Sequence, residues 1–143
     1  MIKKIYIASD HAGFTLKTDI LQLSKENIFD LGAYSSSSVD YPDYAYSLVN
    51  KIILNTHSLG ILICGSGVGM SIAANRDPRI RAGLAFNSKI AKLMRQHNDA
   101  NILILPGRFI NIQEALNCVD NFLSTNFEAG RHQVRVNKLN KKI

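Results

Sequence analysis

Gly60-Ile61-Leu62-Ile63-Cys64-Gly65-Ser66-Gly67-Val68-Gly69 is a continuous apolar run that ends in a cysteine and passes at once into glycines. A run without polar alternation suits a strand buried on both faces of a parallel sheet, and the glycines mark the turn into the next element. The same pattern recurs on either side. Ile2 to Ala8, Ile28 to Leu31, Ile80 to Phe86 and Ile102 to Leu105 read as further strands. Between them lie helical stripes: Phe14, Leu16, Ile20, Leu21 and Leu23; then Tyr44 to Ile53 behind Pro42; then Val68 to Asn75, Ser88 to Gln96 with Ser88 as cap, and Ile112 to Phe122. The segment from Gly130 onward reads as a terminal helix. Five strands alternating with helices predict one α/β domain over residues 1–143, its parallel sheet covered on both faces. Ligands of such sheets bind beyond the C-terminal strand ends. Asp10 and His11, Cys64, and Phe86 to Ser88 are therefore expected along one edge.

Composition narrows the class. No stretch reaches the ~18 apolar residues of a membrane span, and Lys3 and Lys4 lead directly into strand-like sequence. A soluble cytoplasmic protein without a signal peptide is expected. Cys64 and Cys118 are too few for a disulfide framework. The formal charge of +6 is concentrated in Arg131, Arg135, Lys138, Lys141 and Lys142, with no acid among them after Glu128. Such a tail suits a nucleic acid, an acidic partner or a phosphorylated small molecule. A nucleic-acid-binding domain would need interleaved aromatics or a recognition motif, and the chain offers neither.

The glycine loop excludes several familiar chemistries. A dinucleotide fingerprint needs glycine at position 70 and an acid at the end of the next strand; Met70 stands at the first, and Leu84, Ala85 and Phe86 at the second. No glycine is followed by lysine, which removes the P-loop. A cysteine phosphatase loop needs an arginine where Met70 stands. What remains is a strand-end thiol facing backbone N–H groups that can stabilise an anion, next to a helix start that favours the thiolate. Cys118, between Asn117 and Val119, reads as a packed helical cysteine, and His57 as a surface residue. None of the four histidines has metal-ligand spacing, so no metal site is expected.

Five motifs in order carry a resemblance: Ser9-Asp10-His11-Ala12-Gly13-Phe14; Asp40-Tyr41-Pro42; Cys64 to Gly69 with Ile72-Ala73-Ala74-Asn75; Arg95-Gln96-His97-Asn98-Asp99-Ala100-Asn101; and Gly130-Arg131-His132-Gln133-Val134-Arg135. Together they resemble the type B ribose-5-phosphate isomerases and their relatives acting on galactose 6-phosphate or allose 6-phosphate. The resemblance implies a three-layer α/β/α Rossmann-like sandwich and a homodimer or homotetramer with active sites between subunits. It also implies a sugar phosphate as the small-molecule partner, with no organic cofactor, no nucleic acid and no membrane.

Carried over residue by residue, Cys64 becomes the base that takes a proton from the carbon beside the carbonyl, and His97 assists ring opening. Asp10, His11, Tyr41 and Asn98 contact sugar hydroxyls or phosphate. Gly65, Gly67, Val68 and Gly69, with the Ser66 hydroxyl, hold the enediolate oxygens. Arg108, Arg131 and Arg135 bind phosphate, and His132 joins them as a donor. Some relatives replace the cysteine with a glutamate six residues later in the loop; Met70 occupies that place, which leaves the role to Cys64. Galactose-6-phosphate isomerases divide the catalytic groups between two different subunits. This chain keeps the cysteine, the histidine and the tail arginines together, as a self-sufficient homo-oligomer would. The chemistry agrees: an aldose-ketose isomerisation needs a base, donors for a developing oxyanion, and a remote anchor, for which arginine's planar fork is better suited than lysine. A six-carbon 6-phosphate substrate remains the alternative.

Overall fold

The computed structural model describes residues 3–143. The first strand is β1 (Ile5–Ser9), and Ile2, with which the predicted run begins, lies outside the described residues. There follow α1 (Phe14–Leu23), β2 (Ile28–Asp30), α2 (Tyr41–Leu54), β3 (Leu59–Cys64) and α3 (Val68–Ala74). The chain continues through β4 (Ala82–Leu84), α4 (Ser88–Asn98), β5 (Ile102–Pro106), α5 (Ile112–Ser124) and α6 (Arg131–Leu139). The five strands form one parallel sheet in the order β2-β1-β3-β5-β4.

Alternation along the central strands divides the core in two. Ile61 and Ile63 of β3, with Leu103 and Leu105 of β5, pack against Ile20 of α1, Ala91 and Met94 of α4, and Val119 and Phe122 of α5. Leu62 and Cys64, with Ile102 and Ile104, face Leu48 and Ile52 of α2 and Met70 and Ala74 of α3. Burying one such aliphatic side chain contributes roughly 1.5–3 kcal/mol. That is why the strand ahead of the glycine loop carries no polar residue, and why a three-layer sandwich follows.

Two local expectations are corrected. The cap of α4 is Asn87, not Ser88: Asn87 is extended, and its side-chain oxygen accepts from the Ile90 N–H at 3.0 Å. Ser88 is the first helical residue, and its N–H donates to Glu114 Oε1 at 2.6 Å, tying α4 to α5. That bond holds the Glu114 carboxyl below its ordinary pKa. The second correction concerns β4, which is shorter than the run from Ile80 to Phe86. It is an edge strand, and the Asn75 side chain serves its free side, accepting from Ala82 N–H at 2.8 Å and donating to Ala82 O at 3.0 Å.

Lys17 is fully buried, an uncommon fate for lysine. Its ammonium reaches Asp30 Oδ1 at 2.6 Å, and the same oxygen accepts the Gly32 N–H at 2.9 Å. This ion pair fastens the helix after β1 to the end of β2.

Candidate active site

In this strand order the chain leaves β1 toward β2 on one side and leaves β3 toward β5 on the other. The C-terminal ends of β1 and β3 thus flank a topological switch point, where open α/β sheets hold their ligands. Asp10 and His11 follow β1, and Cys64 closes β3. Asp10 is buried, its Oδ1 accepting the Gly13 N–H at 3.1 Å, which fixes the turn into α1. The Nδ1 of His11 accepts the Val39 N–H at 3.2 Å. That bond leaves the ring proton on Nε2, turning His11 into a donor.

Cys64 is buried against the α2 and α3 side of the sheet. The loop after it is hemmed in from several directions. Gly67 has φ +78°, and a Cβ there would stand 2.5 Å from Leu84 Cδ1. A Cβ on Gly69 would lie 2.7 Å from the Tyr41 ring, and one on Gly65 3.3 Å from an Arg108 guanidinium nitrogen. Tyr41 and Arg108 therefore lie directly on the loop, which glycine alone permits. The Arg108 segment is held in place by Gly107 N–H donating to Cys64 O at 2.8 Å and Arg108 N–H to Gly65 O at 3.0 Å.

Ser66 Oγ accepts the Val68 N–H at 3.3 Å, so that N–H already has an acceptor within the loop. The next first-turn N–H groups, of Gly69 and Met70, have no acceptor within α3 by helix geometry. Met70 is fully buried in the core beside Cys64, in surroundings that would penalise a carboxylate.

The structure does not bring His97, Asn98, Arg131, His132 and Arg135 to this edge. α4 begins beyond the C-terminal end of β4 and runs back about 16 Å across the sheet. Its last turn meets residues that precede strands: Arg81 Nε donates to Asn98 O at 3.2 Å and to Asp99 O at 2.9 Å, and Arg81 N–H donates to Asn101 Oδ1 at 2.8 Å. Buried Arg95 holds the same turn, donating to Asp99 Oδ1 at 2.8 Å and Ala100 O at 2.6 Å. His97 stacks on His132 of α6, with ring centroids 4.4 Å apart and planes 16° from parallel. Arg131 and Arg135 stand exposed one turn apart on α6, joined by an Arg135 Nη1 to Arg131 O bond of 3.2 Å. Partial burial first, then the charges of His97, Arg131 and Arg135, lower the His132 pKa against the opposing pull of Glu128.

Sequence reasoning missed three features. Glu128 sits beside His97 and His132, and the donor atoms of the three lie within 4.8 Å of one another. Glu128 lies four residues before His132, whereas His97 is remote from both in sequence and is brought to them by the packing of α6 on α4. The Val39 N–H that orients His11 had no signal, being a backbone group in a serine-rich loop. The brace by Arg95 and Asp99 was visible only as an i, i+4 charge pair.

Fold and loop together define an open α/β domain with a buried thiol and a glycine-rich turn at its switch point. The family model described as ribose/galactose isomerase matches residues 5–139. A relative from Mycoplasma pneumoniae, named a probable ribose-5-phosphate isomerase B, is 48% identical over 94% of this chain and 91% of its own length. The ribose-5-phosphate isomerase B of Escherichia coli is 42% identical over 94% and 93%. The crystal structure of a ribose 5-phosphate isomerase from Thermotoga maritima superposes with a TM-score of 0.92 at 50% identity, covering 98% of this chain and 99% of that one. The Mycoplasma genitalium ribose-5-phosphate isomerase B with bound ribulose-5-phosphate gives 0.91 at 46% identity, with 97% and 95% covered. The chain belongs to the ribose/galactose isomerase family.

Proposed function

We propose that residues 1–143 form a single isomerase domain that interconverts ribose 5-phosphate and ribulose 5-phosphate through an enediolate, with Cys64 as the general base. The observation that carries this reading is the crowded edge, where Cys64, Asp10, His11, the Gly65–Gly69 loop, Tyr41 and Arg108 converge. The related Mycoplasma genitalium structure, described with bound ribulose-5-phosphate, supports the choice of a five-carbon substrate.

In this reading the Cys64 thiolate removes the proton from the carbon next to the carbonyl and returns it to the neighbouring carbon. Negative charge gathers on the carbonyl oxygen. The Ser66 hydroxyl and the N–H groups at the start of α3 meet it. Arg108 lies over the same loop as an anchor for oxygen or phosphate. The net reaction shifts hydrogen within one molecule, from the hydroxyl-bearing carbon to the carbonyl carbon and from that hydroxyl to the carbonyl oxygen, so no redox cofactor is needed.

His97, Asn98, Arg131, His132 and Arg135 enter from a second copy of the chain, each copy lending its N-terminal sheet edge to the other's Cys64 edge. Exposed Val68 and Ile72 on α3, with exposed Phe86 and Phe109 nearby in the chain order of the same edge, supply apolar surface for such an assembly. The partner's histidine then opens the furanose ring, and its arginines hold the phosphate. Among the described residues, no helix is long and apolar enough to cross a membrane. Two free cysteines and a charged intracellular metabolite as substrate support a cytoplasmic location.

The test is turnover of ribose 5-phosphate against allose 6-phosphate and galactose 6-phosphate by purified protein in the presence of a chelator. Higher kcat/KM for the pentose phosphate, unaffected by chelation, is expected. Preference for a hexose phosphate would reassign the substrate, and loss on chelation with recovery on one metal would overturn the metal-free mechanism.

A further inference from the structure

Among the described residues, one group of three ligating side chains lies away from Cys64, on the opposite edge of the sheet. His97, Glu128 and His132 each offer one donor atom, all within 4.8 Å of one another. Their positions are fixed by separate devices. His97 rides on the last turn of α4, which Arg95 pins to Asp99, Ala100 and Thr125. Glu128 is set beside that turn by its own N–H, which donates to Gln96 O at 3.0 Å. His132 opens α6 and is held against the His97 ring by stacking.

Two imidazoles and one carboxylate make up a ligand set of three-residue zinc sites that keep a fourth position for water or another ligand. Nitrogen donors suit zinc and its neighbours rather than magnesium or calcium. Tetrahedral bonds of about 2.0–2.1 Å set ligand atoms roughly 3.3 Å apart, and an ion lies in the plane of each imidazole that binds it, so the two rings, stacked 16° from parallel, must turn out of their stack to share one. Glu128 is exposed and free to follow them. Arg131 and Arg135 oppose a cation here, but both are exposed and their charge is screened by water and salt.

We propose that His97, Glu128 and His132 form a binding site for zinc-like divalent ions, and that an ion bound there inhibits the isomerase by occupying the imidazole of His97. The inhibition rests on the ring-opening role proposed for His97; the binding does not.

Calorimetric titration of the full, metal-free protein with zinc chloride tests the site, and cobalt chloride reports the ligands through its visible spectrum. Saturable binding with a tetrahedral nitrogen and oxygen spectrum is expected. Glu128→Gln, outside the proposed catalytic groups, should keep the metal-free activity yet need at least about tenfold more zinc for half-inhibition, since even second-shell changes weaken metal sites by 10–100-fold. His132→Ala, followed by calorimetry alone, should weaken binding likewise. Absence of binding overturns the site, as does binding that survives both substitutions but disappears in Cys64→Ala, which would put the ion on the thiol. Binding through the three residues without loss of turnover overturns the inhibition alone. A metal-free chain inactive on ribose 5-phosphate would overturn the functional reading and the inhibition with it, while calorimetry still decides the site.

Discussion

The two edges of the sheet are built in opposite ways. At the C-terminal edge the Cys64 loop is enclosed: a Cβ on Gly67 or Gly69 would collide with Leu84 or Tyr41, and Asp10 is buried beneath. At the N-terminal edge, Arg131 and Arg135 stand open to solvent on α6, and half-buried His97 sits on a turn held from behind by Arg95, Arg81 and Asp99. The enclosed edge holds its loop against neighbouring side chains, as the proposed proton transfer requires. The open edge is shaped to be received by something else, and a second copy of the chain is the proposed receiver.

The sharpest way to break this comparison is at the base. Cys64→Ala should lower kcat by on the order of 10²–10⁴, the usual contribution of a positioned general base, with KM little changed. Steady-state kinetics on folded protein decides it, and near wild-type turnover would make the cysteine structural. Next in size is complementation. Inactive Cys64→Ala and inactive His97→Ala chains, mixed equally under conditions of proven subunit exchange, should regain about a quarter of wild-type activity if the assembly is a two-fold dimer with one intact site per hybrid. No recovery would mean that each chain builds its own site.

Gly67→Ala probes the enclosed edge directly. An alanine there combines a left-handed backbone with a clash against Leu84 and Ile104, and should cost about 2–4 kcal/mol, read as a shift in the denaturant midpoint. On the open edge, Arg135→Ala should leave stability unchanged and raise KM by roughly ten- to a hundredfold, the value of a charge-assisted hydrogen bond of ~1.5–3 kcal/mol. A fall in kcat at constant KM would remove the arginine from phosphate binding.

The smallest effect concerns His132. Its pKa is lower in the folded chain than in the unfolded one, so on acidification the unfolded form takes up its proton first. The contribution of this group to stability is thus complete above the unfolded value, near 6.5, and declines as pH falls through the folded one. Protection against hydrogen exchange across α6, taken relative to the intrinsic exchange rate at each pH, should fall modestly over that acidic range, and His132→Gln should abolish the dependence.

Much of the enclosed edge was legible because its causes are local. An unbroken apolar strand, a glycine at each crowded position and an aspartate at a turn leave a mark in the sequence whatever the rest of the chain does. β4 was read too long because Ile80 and Phe86 are apolar enough for a strand, although only Ala82–Leu84 pair with β5 at this edge of the sheet. The α4 cap was misread by one residue because Asn87 and Ser88 both favour that position. The open edge was readable only through family motifs. The stacking of His97 on His132, and with it the nearness of His97 to Glu128, arises from packing between segments far apart in the chain, which neither spacing nor periodicity encodes.

Cys118 has a use of its own. Burial, with the charge of Glu114 behind it, pushes its thiol up to about 12, and no part of it meets solvent. In the native state it is silent toward alkylating reagents, which attack thiolates. Any label taken up by the folded protein therefore counts Cys64 alone, so the mass increment under iodoacetamide becomes a stoichiometric titre of competent sites, readable without substrate and without removing the second cysteine.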